Sequence, residues 1–310
     1  MLSLHTNTKI LLVYGGSGNE AEISIKTKNG IRKALDELGF ANVEEYNFDA
    51  DAIAILQNKK PDIVFNAMHG KWGEDGCLPM LCDFLKIPYT HSGYTTSNIA
   101  INKELTKEIA KSIGIKICSS QVIAKSAVLN GNYDTSVKSF IKPYSQGSSR
   151  CAFIIKQNEK LSAEQLRQIE DNDEQFYIME EFFDGVAIDV AVFRNKVLGA
   201  VEVVPKNEFY DFEAKYTKGM SDYFVPPRIN SFVLQEILNA TERLHNTIDA
   251  KYISRSDFIV SGDDYRFLEI NTHPGMTETS LVPKIASYFD ISYSQIVKEL
   301  LNNASYTEYK

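Results

Sequence analysis

Two short apolar runs near the start of the chain, each followed by glycine, constrain its fold more than any other feature of the sequence. KILLVYGGSG occupies positions 9–18, and PDIVFNAMHG occupies positions 61–70. A continuous apolar run bounded by turn residues is typical of a strand that is buried on both faces, as in parallel sheets. Alternating strands and helices up to about residue 91 therefore predict an α/β domain with a parallel sheet.

The segment between the two runs has the pattern of an amphipathic helix. Ile31, Leu35 and Leu38 fall on one helical face, and Gly39 follows as a stop signal. Ser24 is the predicted N-cap, because its hydroxyl could accept a backbone N–H of the first turn. The first run and this helix therefore form a βα unit that leads on to the second run.

Functional side chains of parallel α/β sheets gather at the carboxyl ends of the strands. Glu20 and His69 both follow a predicted strand, each in a glycine-rich segment. YGGSGNEAEIS lacks the full G-x-G-x-x-G pattern of a dinucleotide loop, but a helix N-terminus favours a carboxylate ligand. Glu20 could hold the ammonium group of the same ligand, which predicts a zwitterion site. The alternative interpretations are a surface glutamate and a structural histidine.

Composition and charge narrow the class of protein. With 310 residues, of which 44% are hydrophobic, the chain can bury a large core in two or three subdomains. A net charge of −8 without a dense basic block argues against nucleic-acid binding. The 4 cysteines show neither CxxC spacing nor a disulfide framework, which favours reduced thiols and the cytoplasm. The apolar run at the N-terminus is far shorter than a membrane span, so no export signal or anchor is predicted.

The rest of the chain has the pattern of further α/β segments. Strands are predicted at 138–143, 150–155 and 177–183. Helices are predicted at 99–114, along Leu234, Ile237, Leu238, Thr241 and Leu244, and after the capping boxes Ser162/Gln165 and Ser292/Gln295. The polar and aromatic segment 206–222 lacks periodicity, and we interpret it as a long loop of the kind that forms a lid.

A predicted hairpin, SRSDFIVSGDDYRFLEIN, carries the main acidic candidates. Alternation places Arg255 and Asp257 on one face of the first strand, and Glu269 and Asn271 on one face of the second. A three-residue loop, Gly262 to Asp264, would bring position 257 opposite position 269, whereas a two-residue loop would put them on opposite faces. Two carboxylates and an amide form an oxygen-only set that suits Mg²⁺, with phosphate oxygens completing the shell. The alternative interpretation is a solvated sheet edge with ion pairs.

The segment FIKPYSQGSSRCAFII has a predicted strand on each side of a glycine-serine turn. It is not a P-loop, because G-x-x-x-x-G-K-[ST] and a following helix are both missing. We interpret it as a β-loop-β flap whose backbone N–H groups and the hydroxyls of Ser148 and Ser149 could close over a triphosphate. Lys142 would add a positive charge. The alternative interpretation is an ordinary turn.

Six segments extend in order over nearly the whole chain: GGSGNEAEIS, HGKWGEDG, IPYTHSG, IKPYSQGSS, FYDFEAKY and LEINTHPGMTETSLVP. In order and approximate spacing they resemble the D-alanine:D-alanine ligases of the ATP-grasp superfamily. The resemblance implies an α/β fold with a three-subdomain ATP-grasp architecture and an N-terminal parallel-sheet domain. The implied parts are a substrate domain at 1–91, a central ATP-grasp subdomain with the phosphate flap at 92–179, and a C-terminal ATP-grasp subdomain with the metal site and lid loop at 180–310.

The resemblance also implies the reaction and its partners. ATP would phosphorylate the carboxylate of a first D-alanine, and the amine of a second D-alanine would attack the acyl phosphate to give D-alanyl-D-alanine for peptidoglycan precursors. This chemistry needs positioning and charge stabilisation rather than a covalent nucleophile. The implied cofactors are ATP and two Mg²⁺ ions, with Mn²⁺ as a substitute. A homodimer in the cytoplasm is implied, without a nucleic-acid or membrane partner.

Each candidate residue receives a role from the resemblance. The implied metal ligands are Asp257, Glu269 and Asn271. The implied nucleotide contacts are Lys103, Lys142, Ser149, Glu180, the Glu181 carbonyl, Phe183 and Phe209. The implied catalytic groups are Glu20 for the first ammonium, Ser148 and Tyr216 for ordering the lid, and Arg255 and the Gly275 N–H for the oxyanion. The implied substrate contacts are His69, Lys215, and Ser280 with the Leu281 N–H for the second carboxylate. The tyrosine at position 216 favours an amine acceptor over a hydroxy acid.

The sequence departs from the family pattern at two places. Ala187 stands where the family has a glutamate that binds the ribose hydroxyls, and the missing acceptor could cost about 1–3 kcal/mol unless Asp189, on the same face, replaces it. Arg150 and Cys151 stand in the flap where the family has a small apolar residue and glycine. These departures motivate one alternative function, a catalytically silent nucleotide-binding homologue. A second alternative is an ATP-grasp ligase for other amino acids.

Overall fold

The computed structural model describes residues 4–16, 20–147, 150–207, 210, 214, 215, 217, 219–277 and 279–308. Within these residues the chain forms three β-sheets, which follow one another along the sequence and are flanked by helices. None of the described helices is long and apolar enough to cross a membrane.

The first sheet is parallel, as the two apolar runs predict. Its strands are β1 (Ile10–Gly15), β2 (Val43–Phe48) and β3 (Ile63–Asn66), in the order β2-β1-β3. Its helices are α1 (Ala21–Glu37), α2 (Ala52–Lys59) and α3 (Cys77–Leu85). The expected βα alternation up to residue 91 is therefore confirmed.

Helix α1 begins one turn earlier than the sequence predicts, because Ser24 is not its cap. The N-cap is Glu20, and Ser24 lies fully buried inside the first turn. Its Oγ accepts the Gly15 N–H at 2.8 Å and donates to the Ala67 carbonyl at 2.9 Å. The hydroxyl therefore links the carboxyl ends of β1 and β3. Functional side chains are predicted at these ends of the strands.

The second sheet is antiparallel and belongs to the middle of the chain. Its strands are β4 (Ser120–Ala124), β5 (Ser139–Pro143), β6 (Phe153–Ile155) and β7 (Phe176–Glu181), in the order β4-β7-β5-β6. Helices α6 (Lys125–Leu129) and α7 (Ala163–Asp171) pack on this sheet, whereas α4 (Tyr94–Ile101) and α5 (Lys103–Ser112) pack against the last strand of the third sheet, described below. The helix predicted at 99–114 is interrupted at Asn102, whose side chain caps α5 by accepting the Leu105 N–H at 3.0 Å. Strand β7 crosses the predicted limit between residues 179 and 180, and the three domain ranges stay a prediction.

The third sheet, also antiparallel, and the last helices complete the fold. The strands are β8 (Val186–Phe193), β9 (Lys196–Pro205), β10 (Ser221–Phe224), β11 (Ile253–Ser261) and β12 (Asp264–Asn271), in the order β10-β9-β8-β11-β12. The helices are α8 (Ser231–Thr247), α9 (Leu281–Tyr288) and α10 (Tyr293–Asn302). Both predicted capping boxes, at the starts of α7 and α10, are present with reciprocal hydrogen bonds.

Of the two loop lengths that the sequence leaves open, the structure has the two-residue loop between β11 and β12, since Ser261 pairs with Asp264. In a regular ladder such a loop would place positions 257 and 269 on opposite faces. An irregularity beyond Asp257 makes Leu268 an extra residue in β12, so Asp257 still lies directly opposite Glu269. The pairing that a three-residue loop would give is therefore present, but a β-bulge rather than the loop length produces it.

One apolar core joins the N-terminal sheet to the end of the chain. Leu12 of β1 and Leu35 of α1 lie in the same buried cluster as Val201 of β9, Ile285 of α9 and Leu300 of α10. The carboxyl ends of β1 and β3 are thereby held next to the third sheet, and a cleft forms where they meet.

Candidate active site

A cleft of about 450 Å³ brings together candidate residues from distant parts of the chain. The predicted residues that line it are Glu20, His69, Lys103, Lys215, Arg255, Glu269, Asn271, Gly275, Ser280 and Leu281. The remaining described candidates, Asp257, Lys142, Glu180, Glu181 and Phe183, are not part of this lining. Ser148, Ser149, Phe209 and Tyr216 lie outside the described residues.

At the N-terminal side of the cleft, Glu20 is enclosed by two glycines. A Cβ on Gly70 would lie 2.1 Å from Glu20 Oε2, and a Cβ on Gly147 would lie 3.2 Å from Glu20 Oε1. Gly70 also has φ +66°, a left-handed conformation that favours glycine. The carboxylate therefore sits between the loop that follows β3 and the flap between β5 and β6.

His69 is held by hydrogen bonds at both ring nitrogens. Its Nε2 lies 2.8 Å from Thr27 Oγ1, and its Nδ1 lies 3.0 Å from Glu74 Oε1. The ring is 5% exposed but borders the cleft, so it can contact a ligand without changing its orientation.

Behind His69 lie two histidines to which the sequence interpretation assigns no role. The rings of His91 and His273 stack with centroids 3.9 Å apart, and His273 meets the His69 ring edge-on at 5.8 Å. Burial lowers the pKa of His91 to about 3 and holds the pKa of His273 well below its ordinary value. Both rings are therefore neutral at physiological pH. Each lies in a segment quoted above, IPYTHSG or LEINTHPGMTETSLVP, but a sequence carries no signal that two such distant positions stack.

The hairpin supplies a compact charged group. Asp257 and Glu269 lie opposite each other in register, and Arg255 Nε and Nη2 donate to the two Asp257 oxygens at 2.6 and 2.8 Å. Burial disfavours the Arg255 cation, but Asp257, Asp189 and Glu269 outweigh it and raise the pKa of Arg255 well above its ordinary value. The guanidinium is therefore permanently charged at the floor of the cleft.

Lysines surround Glu269. Lys103 Nζ lies 3.5 Å from Glu269 Oε2 and also donates to the Gln146 carbonyl of the flap at 2.8 Å. Burial disfavours the Glu269 carboxylate, but Lys103, Lys142, Lys215 and Arg255 overcome that effect and lower its pKa to about 2. Burial also lowers the pKa of Lys215, against the attraction of Glu269. This concentration of positive charge is the feature of the cleft that most favours a polyanionic ligand.

The donor atoms near the hairpin fit a hard divalent cation. Asp257, Glu269 and Asn271 can each offer side-chain oxygens. Asn271 Oδ1 accepts the His273 N–H at 2.7 Å, and this hydrogen bond fixes the orientation of the amide. Carboxylate and amide oxygens are the ligands that Mg²⁺ accepts. Asp257 would have to exchange at least part of its pairing with Arg255 for a cation.

The candidate nucleotide contacts on β7 form a second charged group. Glu180 is 3% exposed, and its Oε1 lies 2.5 Å from Lys107 Nζ and 3.0 Å from Lys142 Nζ. Burial opposes ionisation, but the two lysines lower the pKa of Glu180. Lys107 has no role in the sequence interpretation, although its position four residues after Lys103 places both ammonium groups on one face of a helix.

Glu181 and Phe183, the other two described candidates for nucleotide contact in this segment, are more exposed than Glu180. Ser119 Oγ donates to Glu181 Oε2 at 3.0 Å, and the Arg266 guanidinium lies 4.5 Å from the centre of the Phe183 ring.

The far end of the cleft is formed by the turn that follows β12. A Cβ on Gly275 would lie 2.9 Å from Ser280 Oγ, which itself accepts the Thr277 N–H at 3.1 Å. Ser280 is the N-cap of α9, and Leu281 is its first residue. A helix N-terminus attracts a carboxylate through its free N–H groups and its dipole.

Asp189, the suggested replacement for the missing ribose ligand, lies beside Arg255. Asp189 Oδ1 is 3.0 Å from Arg255 Nε, and Asp189 pairs in register with Asp257. Burial and the neighbouring Asp257 raise the pKa of Asp189 well above its ordinary value. Asp189 thus belongs to the charged group of the hairpin.

Comparison with known proteins connects this cleft to a family. Residues 109–302 match the family model described as D-ala D-ala ligase C-terminus. The D-alanine--D-alanine ligase of Rickettsia massiliae (strain Mtu5) is 38% identical over 304 residues, which cover 96% of this chain and 92% of the relative. The ligase of Wolbachia sp. subsp. Drosophila simulans (strain wRi) is 36% identical over 301 residues, which cover 95% and 93% of the two chains.

Solved structures agree with the observed architecture. The crystal structure of D-alanine--D-alanine ligase from Bacillus anthracis superposes with a TM-score of 0.77 at 25% identity, over 95% of this chain and 98% of that chain. D-alanyl-alanine synthetase A from Vibrio cholerae has the same fold, with a TM-score of 0.78 at 20% identity over 97% of this chain and 99% of that chain. The three-sheet ATP-grasp fold and the sequence relatives lead to one conclusion: the chain belongs to the D-alanine--D-alanine ligase family.

Proposed function

We propose that this protein joins two D-alanine molecules into D-alanyl-D-alanine while ATP is converted to ADP and phosphate, and that the dipeptide serves peptidoglycan synthesis. The observation that carries the proposal is the cleft that Glu20, Arg255 and Glu269 line together. Full-length relatives named as D-alanine--D-alanine ligases support the choice of substrate.

The first D-alanine binds at the N-terminal side. The Glu20 carboxylate receives the ammonium group, while His69 and Lys215 contact the same substrate. Activation of its carboxylate by the terminal phosphoryl group of ATP makes an acyl phosphate, which an amine can attack. The cationic side chains around Glu269 support this step because they stabilise the charge that spreads over the transferred phosphoryl oxygens.

ATP binds between the second and third sheets. Lys103, Lys142 and Ser149 contact its phosphates, and Glu180, the Glu181 carbonyl, Phe183 and Phe209 contact its base. Asp257, Glu269 and Asn271 would hold two Mg²⁺ ions, for which Mn²⁺ could substitute. When bound, these ions neutralise charge on the phosphate oxygens. A Bacillus anthracis ligase of the same fold is known in complex with ATP.

The second D-alanine binds at the start of α9. Ser280 and the Leu281 N–H receive its carboxylate, and this contact directs its amine towards the activated carbon. Arg255 and the Gly275 N–H stabilise the oxyanion that forms when the amine attacks. Ser148 and Tyr216 order the lid over the two substrates.

The test is release of ADP and phosphate in the presence of D-alanine, measured for the wild type and for Glu269→Ala. We expect turnover by the wild type and none by the variant, with both proteins folded by circular dichroism. Asp264→Ala is the matched control, because Asp264 is a carboxylate of the same strand that pairs with Lys116 at 2.7 Å, outside the cleft lining. It should keep the wild-type rate.

The same assay separates the alternative functions. Phosphate release with other amino acids but not with D-alanine would indicate an ATP-grasp ligase of different specificity. Calorimetric binding of ATP without turnover on any amino acid would indicate the catalytically silent homologue that Ala187 and the altered flap suggest. Either outcome would overturn the proposed function.

The assembly and location are also proposals. We infer a homodimer from the family resemblance, to be tested by light scattering of the purified protein. We infer a cytoplasmic location, because the reaction consumes ATP and the four cysteines are free thiols. Cell fractionation followed by immunoblotting tests this inference.

A further inference from the structure

Two carboxylates compete for one guanidinium at the floor of the cleft. Strand β8 places Asp189 directly opposite Asp257 of β11, and Asp189 is only 4% exposed. Its Oδ1 lies 3.0 Å from Arg255 Nε, while Asp257 Oδ1 lies 2.6 Å from the same nitrogen. Arg255 is therefore flanked on its own sheet by two acidic side chains.

Only one of these carboxylates receives the hydrogen of Arg255 Nε. That nitrogen carries a single hydrogen, which is donated to Asp257 Oδ1, and Nη2 donates to Asp257 Oδ2. Asp189 is thus close enough to accept the same hydrogen after a small rotation of the guanidinium or of its own side chain. It is a second acceptor that lies beside the first.

The pairing of Asp257 conflicts with its proposed role. Both of its oxygens are bound to Arg255, and these are the oxygens that a divalent cation needs. If Asp257 turned to a cation without a replacement, the largely buried guanidinium would lose its acceptor, which is a costly arrangement. The cation and the guanidinium would then compete for Asp257.

We propose that Asp189 is a positioning residue that accepts the Arg255 Nε–H when Asp257 turns to a divalent cation. Arg255 then stays at the oxyanion position while Asp257 is released to the metal. The inference rests on the proposed function for the roles of Arg255 and Asp257. It gives Asp189 a task that differs from the ribose contact suggested by the sequence.

The simplest competing explanation is that Asp189 only adds negative charge and attracts the cation through space. The two explanations differ for an asparagine. Asp189→Asn removes the charge but keeps an oxygen that can accept the Nε–H, whereas Asp189→Ala and Asp189→Val remove the acceptor as well. The two explanations also differ when Arg255 is absent, because a through-space attraction does not need the guanidinium.

The test is calorimetric binding of Mg²⁺·ADP to the full-length protein without any amino acid. We expect Asp189→Ala and Asp189→Val to weaken binding by about tenfold, and Asp189→Asn to remain close to the wild type. In an Arg255→Ala background, Asp189→Ala should have no further effect. Melting curves and circular dichroism establish that each variant is folded, and Asp189→Val replaces Asp189→Ala if the latter is not.

Glu202→Ala is the matched control. Glu202 is a buried carboxylate of the same sheet that accepts two hydrogen bonds from the Arg228 guanidinium, at 3.0 and 2.7 Å, and it does not line the cleft. Its loss should lower stability without changing Mg²⁺·ADP affinity.

The inference is overturned if Asp189→Ala binds Mg²⁺·ADP as tightly as the wild type. It is equally overturned if the alanine and asparagine variants are weakened alike, or if Asp189→Ala still weakens binding without Arg255. A wild type that fails to release phosphate with D-alanine would count against the proposed function instead. That assay contains the amino acid, whereas the binding measurements do not, so the two failures are distinguishable.

Discussion

Gly70 illustrates how strongly a single residue can be constrained by the cleft. Its left-handed φ of +66° and its contact with Glu20 both exclude a side chain, for independent reasons. Gly70→Ala should lower the free energy of unfolding by about 1–2 kcal/mol through backbone strain. It should also displace the Glu20 carboxylate and reduce kcat/KM for D-alanine by roughly ten- to a hundredfold. Urea denaturation and steady-state kinetics measure the two effects.

Gly114→Ala is the control for Gly70→Ala, because it introduces backbone strain without a steric contact. Gly114 has φ +79°, but a Cβ there would meet no heavy atom within 4 Å. The variant should lose a similar amount of stability and keep wild-type kinetics. If both variants lose activity equally, or neither does, Gly70 does not act through Glu20.

The neutral histidine His91 makes stability depend on pH. Its pKa is lowered by burial from an ordinary value of 6.5 to about 3, so between these values the unfolded chain binds a proton that the folded protein does not. The free energy of unfolding therefore falls as the pH drops from 6.5 towards 3, by up to about 1.4 kcal/mol per pH unit for this one group. His91→Phe should make the pH dependence shallower, by about 1 kcal/mol per pH unit on average between pH 7 and pH 5, as measured by urea denaturation.

Phe65→Leu is a suitable control for the histidine variant. The Phe65 ring packs edge-on against His91 with centroids 6.0 Å apart, but it does not titrate. The variant should be less stable at every pH and should keep the wild-type slope. An unchanged slope in His91→Phe would show that His91 is not the source of the acid sensitivity.

At the same scale, the residue types of the site could be predicted from the sequence, but their partners could not. Glu20, Arg255 and Glu269 line the cleft as expected. Alternation places Asp189 on the face of Ala187, but it does not show that Asp189 lies beside Arg255, because the pairing of β8 with β11 depends on sheet order. Alternation along one strand indicates a face, but it does not identify the neighbouring strand.

The hairpin of β11 and β12 shows the corresponding limit for elements. Its two strands and their polar face could be predicted from alternation. The bulge at Leu268 could not, because two successive apolar residues, Phe267 and Leu268, also occur in a regular strand that is buried on both faces. Loop length alone therefore does not decide the pairing of Asp257 with Glu269, since the two-residue loop and the bulge compensate each other.

Capping boxes are predicted well from local sequence, because the interacting groups are three residues apart, whereas the single candidate cap Ser24 was not confirmed. In α10, Ser292 Oγ accepts the Gln295 N–H at 3.2 Å, and Gln295 Oε1 accepts the Ser292 N–H at 2.7 Å. Ser292→Ala should lower the free energy of unfolding by about 1 kcal/mol, since it leaves an N–H of the first turn without its acceptor. Urea denaturation measures the loss.

The comparison variant for that cap is Ser287→Ala. Ser287 is exposed near the end of α9, so the substitution removes the same hydroxyl without removing a cap. Its effect should be near zero, because alanine has the higher helix propensity. Equal losses in the two variants would contradict the capping role of Ser292.

At the scale of the whole molecule, chain order and spatial order differ. The sequence predicts an N-terminal domain ending near residue 91, and the parallel sheet within that range is confirmed. Its core, however, also contains side chains from the last helix, among them Ile296 and Leu300. An amphipathic pattern shows that a face of α1 or α10 will be buried, but it does not show that the two faces pack on each other.

Because the core is shared, a substitution in the last helix should destabilise the first strand. Leu300 is 1% exposed and lies in the cluster that contains Ile10 and Leu12 of β1. Leu300→Ala should cost about 2–5 kcal/mol, because it leaves a cavity in that cluster. The amides of β1, some 290 positions earlier, should then exchange hydrogen faster in native-state exchange measured by mass spectrometry.

Leu244→Ala provides the contrast, since Leu244 is equally buried but belongs to a second core with Val190 and Phe258. Its cavity should accelerate exchange in α8 and β11 and leave β1 protected as in the wild type. Unchanged exchange of β1 in Leu300→Ala would show that the first sheet is stable without the last helix. If instead exchange of β1 becomes faster in Leu300→Ala but not in Leu244→Ala, one cooperative core stabilises both sides of the cleft. The distance between Glu20 and the hairpin would then depend on packing in this core, which also contains Leu281 of the cleft lining.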